Sequence, residues 1–293
     1  MKFLEENYNF NNPHKGKFIL IEGLNGSGKT TQVKKLAAEL TSSGIEAIAN
    51  HEPTKGNYGL LIRQIIDKVA LDENLLHFLD KQLDYLWSLV EEGVTNNVES
   101  VKKDLVRSRC MKNKLKEIIG HLIKKESLSE EERQILFIMD RQQDITNNIL
   151  PALMRGYWVV EDRYDPTNYM HGKSQGIDFF VLQKWHRIFL QNGYLSPDLI
   201  MYYWLPLDLA IERNLKSGKV IDIYENKKTL IAIESAAREI FDFKNINPEH
   251  GRPLRREFRV NGKRHYCFII NTEPSLDEVF QETWHLVKET FSI

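Results

Sequence analysis

The sequence predicts an α/β protein whose five-stranded parallel sheet is covered by helices on both faces. Three observations carry that expectation. Short apolar runs rich in β-branched residues recur at Lys17–Glu22, Ile45–Ala49, Gly156–Glu161, Leu199–Leu205 and Tyr266–Asn271. Helix-forming segments separate them, the alternation that builds a parallel sheet. A glycine-rich turn stands directly between the first run and the first helical segment.

The elements follow in chain order. After KFILIE and the glycine turn, Val33, Leu36, Ala37 and Leu40 keep helical spacing over Thr30–Leu40, and Gly44 closes that helix. Tyr58–Val69 is expected to be helical. Residues 71–131 are rich in Leu, Lys and Glu and read as two or more helices, broken near Gly93–Asn97 and Lys125–Ser129. Ser129 with Glu132 three residues on has capping-box spacing and opens a helix expected to run to Leu153. Further helices are expected at Ile177–Asn192, Pro206–Asn214, Thr229–Phe243 and Ser275–Phe291. Lys216–Lys228 reads as a polar loop, and Asn247–His265 as a basic, turn-rich stretch.

Bulk properties narrow the function classes. The chain has 293 residues with 40 Lys+Arg against 41 Asp+Glu, a formal net charge of -1, so neither nucleic acid nor an anionic membrane is an expected partner. The 2 cysteines, Cys110 and Cys267, are far apart and have no metal-ligand spacing. No apolar run approaches the roughly 20 residues of a membrane span. Residues 1–17 lack a basic start and an apolar core, so a cytoplasmic protein is expected.

The chemistry begins at Gly23-Leu24-Asn25-Gly26-Ser27-Gly28-Lys29-Thr30, which fits G-x-x-x-x-G-K-[ST]. Glycines let successive backbone N–H groups converge on phosphate oxygens, and the helix that follows adds its unpaired N–H groups and positive dipole end. Gly23, Asn25, Gly26, Ser27, Gly28, Lys29, Thr30 and Thr31 are therefore the expected nucleoside-triphosphate site, within a P-loop NTPase three-layer sandwich. Lys29 would reach the β- and γ-phosphates of ATP, and the Thr30 hydroxyl would serve a magnesium ion.

Asp162 and Arg163 end the third apolar run, and ligands of parallel sheets sit beyond the carboxyl ends of strands. An aspartate there can hold magnesium or its waters. An arginine there can span donor and acceptor phosphates with its fork. Glu52-Pro53 puts another carboxylate at a strand end, within reach of magnesium through water. In LFIMDRQQ, Phe137 and Arg141 are four apart and share a helix face, an aromatic beside a bidentate donor that suits a nucleobase.

Taken in order, these pieces resemble the thymidylate kinase family. IEGLNGSGKTT at Ile21–Thr31 is similar to its phosphate loop, and His51-Glu52-Pro53 to its Glu-Pro segment. Leu136–Gln143 resembles its L-F-x-x-[DN]-R-x-Q helix. Val160–Tyr164 with Thr167-Asn168 resembles its D-R-Y stretch, and SPDLIMY at Ser196–Tyr202 its P-D-L strand. Ile221–Glu225 resembles the start of its mobile lid. The resemblance implies transfer of the ATP γ-phosphoryl to dTMP, with magnesium, by a homodimer. It implies that Lys29, Asp162 and Arg163 are catalytic and that Thr30, Asp162 and (through water) Glu52 serve the metal. It places the acceptor among Glu52, Phe137, Arg141, Gln143, Arg163, Asn168, Tyr169 and His171. Phe137 would stack on the base, and either Tyr169 or His171 would wall the sugar. Lys216, Lys219, Tyr224 and Glu225 would belong to the lid.

The chain departs from that pattern at three places. Asn25 stands where the family usually has a carboxylate. Gly26 stands where some members have an arginine, yet Leu215–Glu225 offers none in the lid, which leaves Lys216 or Lys219 as point charges. Against the family pattern, residues 1–293 are expected to be one domain, with a helical insertion at about 71–127 and a basic hairpin-like insertion at about 247–265. A kinase of another deoxynucleotide or nucleoside, and a nucleotide-binding regulator acting through the helical segment, remain open alternatives.

Overall fold

In a computed structural model, the structure describes residues 4–5, 12–94, 99–190, 194–216, 227–260 and 263–293. A six-stranded sheet runs in the order β2-β3-β1-β4-β6-β5. Its strands are β1 (Phe18–Gly23), β2 (Ala47–His51), β3 (Trp158–Asp162), β4 (Leu199–Trp204), β5 (Leu254–Val260) and β6 (Lys263–Asn271). The five expected strands are all present and mutually parallel.

The sixth strand adds an antiparallel edge to the expected five-stranded parallel sheet. β5 lies in the basic stretch and pairs antiparallel with β6, from Leu254↔Ile269 to Val260↔Lys263. Its alternation is real but masked by charge. Phe258 is buried, Leu254 and Arg256 are partly buried, and Arg255 and Glu257 are exposed. Charged side chains on an edge strand also deter pairing with other chains.

The helices are α1 (Lys29–Ser42), α2 (Asn57–Ile66), α3 (Glu73–Val94), α4 (Glu99–Ile123), α5 (Glu130–Asp144), α6 (Leu150–Met154), α7 (Asp165–Ser174), α8 (Phe179–Leu190), α9 (Leu207–Lys216), α10 (Lys227–Ile240) and α11 (Leu276–Phe291). The central strands are apolar on both sides, so each sheet face has its own core. Ile19 and Ile21 of β1 pack with Val33, Leu36 and Leu40 of α1 and with Val279 and Val287 of α11. Phe18 and Leu20 point the other way, into the larger core that holds α2, α5, α7, α8 and α10. That gives three layers.

The helix expected from Ser129 to Leu153 is helical without a gap from Glu130 to Met154, with one π-helical turn inside it. Its capping box forms as read: Ser129 Oγ accepts from the Glu132 amide, and the Glu132 carboxylate accepts from the Ser129 amide. Downstream, Pro151 has no N–H for the Asn147 carbonyl, and the turn ahead of it widens to a π-turn over Ile145–Ile149 before α6 resumes. α3 and α4 pack on each other within the 71–131 stretch, and the second expected break falls between α4 and α5. No helix among the described residues is long and apolar enough to cross a membrane.

Candidate active site

The carboxyl ends of β1, β2 and β3 share one rim, because Ile21 and His51 are both in register with Asp162. The phosphate-loop residues, Glu52, Asp162 and Arg163 leave the strands at that rim. Gly23 has φ 148, and a Cβ there would lie 2.4 Å from the Tyr203 carbonyl oxygen, so only glycine lets the loop leave β1 so close to β4. Gly26 and Gly28 take left-handed φ of 84 and 85. Lys29 opens α1, is 5% exposed, and donates from Nζ to the Leu24 carbonyl at 2.9 Å, which places its ammonium inside the loop. Thr31 extends the first turn of α1, its amide bonded to the Gly28 carbonyl.

Thr30 Oγ1 donates to Asp162 Oδ2 at 2.5 Å, so two expected magnesium ligands from elements 132 residues apart meet. The other Asp162 oxygen, Oδ1, is buried without a hydrogen-bond partner, as is Ser27 Oγ. A buried carboxylate oxygen left open beside a hydroxyl is a hard-oxygen donor set of the kind magnesium takes, so the residues present fit that ion.

Arg163 has φ 75, unusual for a side-chain-bearing residue, and the surroundings fix it. Its amide donates to the Ile21 carbonyl at 3.1 Å, and the next amide, of Tyr164, donates to Glu22 Oε1 at 2.8 Å. Glu22 Oε2 accepts from Thr167 Oγ1 at 2.8 Å. Glu22 is fully buried, and burial pushes its carboxyl up from the usual range against the pull of Arg163. The Arg163 guanidinium reaches back over the phosphate loop, donating to Asn25 Oδ1. Sequence reasoning gave Glu22 no role.

A second polar cluster lies beside β2. Glu52 follows β2 and precedes a cis peptide to Pro53. Its two oxygens accept from Arg141 Nε at 2.8 Å and from Arg141 Nη2, and the side chains are only 4% and 1% exposed. Burial works against the charge of Arg141, but the Glu52 carboxylate outweighs it and raises the guanidinium's proton affinity, so Arg141 stays cationic. Arg141 Nη1 also donates to Asn168 Oδ1 at 2.6 Å. Phe137, one turn earlier on α5, packs against the core with its ring partly exposed. Gln143 lies against Gly56, where a Cβ would come within 2.4 Å of its Oε1. Asp140, in the same helix, accepts from the Thr54 amide and hydroxyl at 2.7 and 2.6 Å and so ties the loop after Pro53 to α5.

Tyr169 and His171, left open as sugar-wall residues, part company. Tyr169 is 2% exposed and stacks on the His186 ring at 4.7 Å. His171 is partly buried, and burial together with the charges of Arg163 and Lys29 lowers its pKa to about 3.

Of the expected lid residues, Lys216 ends α9 and pairs with Glu212, whereas Lys219, Tyr224 and Glu225 lie outside the described residues. A cation that sequence reasoning passed over comes from just upstream. Arg213 donates to the carbonyls of Gly26 at 3.5 Å, Thr272 at 2.9 Å and Glu273 at 3.0 Å, bracing the phosphate loop against the turn that enters α11.

Comparison with known proteins agrees with this arrangement. A family model described as thymidylate kinase matches residues 21–101 and 107–248. A thymidylate kinase of Brachyspira hyodysenteriae is 26% identical over 220 residues, 75% of this chain and 78% of the relative. One from Carboxydothermus hydrogenoformans is 28% identical over 200 residues, 68% of this chain and 70% of the relative. One from Synechococcus sp. is 25% identical over 281 residues, 94% of this chain and 97% of the relative. A phosphate loop, an Asp-Arg pair on the same rim and a family match across most of the chain make this protein a member of the thymidylate kinase family, and with it a phosphotransferase.

Proposed function

We propose that this protein, a nucleoside monophosphate kinase by family, transfers the γ-phosphoryl group of ATP to dTMP, giving dTDP and ADP. The observation that carries the reading is the convergence on one rim of a phosphate-binding half and a base-binding half. Lys29, Thr30, Asp162 and Arg163 form the first. Phe137 and the Glu52–Arg141–Asn168 cluster form the second.

The chemistry asks mainly for positioning and charge neutralisation. An oxygen of the acceptor phosphate forms a bond to the γ-phosphorus while the bond to the β–γ bridging oxygen breaks. Glycine amides and Lys29 hold the donor phosphates. Arg163, held by Asn25 Oδ1 and the Thr167 hydroxyl, presents a fork to the acceptor phosphate. Thr30 and Asp162 would hold magnesium, which when bound supplies positive charge to the donor phosphates. Arg141 would meet the edge of the base, and Phe137 would stack on its face. His171, partly exposed, suits the sugar wall better than Tyr169, which is buried against His186 of α8. Arg213 keeps a guanidinium at the Gly26 side of the loop, where a lid without arginine would otherwise leave lysines. That observation weakens the reading of the chain as a regulator that has lost transfer.

Incubation with ATP, magnesium and dTMP, with nucleotides separated by anion exchange, tests the reaction. dTDP formed in step with ADP is expected. ADP released without dTDP would oppose the proposal.

A further inference from the structure

The buried environment of Arg141 holds a residue that no sequence motif singles out. A guanidinium has five N–H groups and accepts nothing. In Arg141, Nε–H goes to Glu52 Oε1 and one Nη2–H to Glu52 Oε2. The two on Nη1 go to Asn168 Oδ1 at 2.6 Å and to His186 Nε2 at 3.1 Å. Among the described residues four donors are thus committed, and the guanidinium is held on both edges with its side chain 1% exposed.

Because Arg141 can only donate, His186 Nε2 must accept, and the ring proton must sit on Nδ1. Nδ1 lies 2.8 Å from the Leu182 carbonyl, an acceptor that requires that tautomer. One face of the ring is covered by Tyr169, with centroids 4.7 Å apart and planes 12° from parallel. Burial, reinforced by the Arg141 charge, lowers the His186 pKa to about 3, so the ring keeps its acceptor at neutral pH. The Glu52 pair fixes one edge of the guanidinium, and His186 with Asn168 fixes the other.

We infer that His186 is a positioning residue for Arg141, fixing the orientation of the guanidinium that would meet the base of the acceptor nucleotide. The inference rests on the acceptor reading given above. It differs from the reading of His186 as core filling, for which the ring's shape would matter and its nitrogen would not.

Two substitutions separate the two readings. His186→Phe keeps a flat ring against Tyr169 and removes the acceptor nitrogen. His186→Gln loses the stack but can return an acceptor oxygen near the Nε2 position. With an unpaired donor left in a buried site, His186→Phe is expected to raise the KM for dTMP about tenfold, with kcat and the KM for ATP within about twofold of wild type. His186→Gln is expected to recover most of that loss. A His186→Phe enzyme with unchanged KM for dTMP, or one rescued less well by Gln than it performs itself, would overturn the assignment. A wild-type protein that does not use dTMP would instead overturn the acceptor reading. In that case 15N shifts of the His186 ring still decide the positioning claim. An unprotonated Nε2 at neutral pH is expected, and a protonated Nε2 contradicts it.

Discussion

Asn25 Oδ1 accepts a hydrogen bond from the Arg163 guanidinium, so a neutral amide in the phosphate loop holds the cation that would meet the acceptor phosphate. Asn25 stands where the family pattern usually has a carboxylate. An amide oxygen orients the fork without drawing off its charge, which leaves Arg163 a stronger partner for phosphate. Arg163→Lys keeps the charge and loses the fork. We expect kcat with dTMP to fall about 100-fold while the KM for ATP stays within about threefold. Steady-state rates with each substrate varied in turn check this.

Thr30 and Asp162 meet at 2.5 Å, with Asp162 Oδ1 left open. Asp162→Asn replaces one hard anionic oxygen by an amide. The magnesium concentration giving half-maximal rate is expected to rise tenfold or more, by roughly the factor seen when metal-site carboxylates are altered. A magnesium titration at saturating nucleotide reads the effect.

Glu52 and Arg141 are a buried ion pair, and removing one partner leaves the other charge uncompensated. Glu52→Gln is expected to cost about 3 kcal/mol of stability, at the low end for a broken buried pair because the amide oxygen keeps one bond. For a chain of this size that lowers the thermal midpoint by roughly 5 °C. Calorimetry of the two proteins without nucleotide measures it.

His186 also makes a prediction about pH. Its folded pKa of about 3 lies below the unfolded value of 6.5, so below pH 6.5 the unfolded chain binds the proton that the folded chain refuses. Stability from this group is therefore intact above pH 6.5 and is lost as pH falls toward 3. Buried carboxyls raised by burial, such as Glu161 and Asp140, act in the opposite sense, so the whole-protein curve mixes signs. The difference between wild type and His186→Gln isolates the histidine. Between pH 7 and pH 5 the wild type is expected to lose up to about 2 kcal/mol more than the variant. Urea unfolding at both pH values tests this, and parallel losses would contradict it.

Much of this site was legible because its residues belong to local patterns. The phosphate loop announces itself by glycine spacing, and Asp162-Arg163 by its place at the end of an apolar strand. Four features were not legible, for separate reasons. β5 hides its alternation because Arg256, a charged residue, stands on the inward side between Leu254 and Phe258. Glu22 reads as the end of a strand until the Tyr164 amide and Thr167 hydroxyl are seen to converge on it. Arg213 sits two residues before Leu215, where the arginine-free lid stretch begins, and reaches the loop only because α9 packs over Gly26. His186 touches Arg141 across 45 residues of chain, a contact that no local spacing encodes.

The central claim is that the acceptor is dTMP. Initial rates with ATP and magnesium across dTMP, dUMP, dCMP, dGMP, dAMP and thymidine test it most directly. The account predicts the highest kcat/KM for dTMP, with thymidine unused because Arg163 has no acceptor phosphate to hold. A higher kcat/KM for another nucleotide, or for thymidine itself, would contradict it.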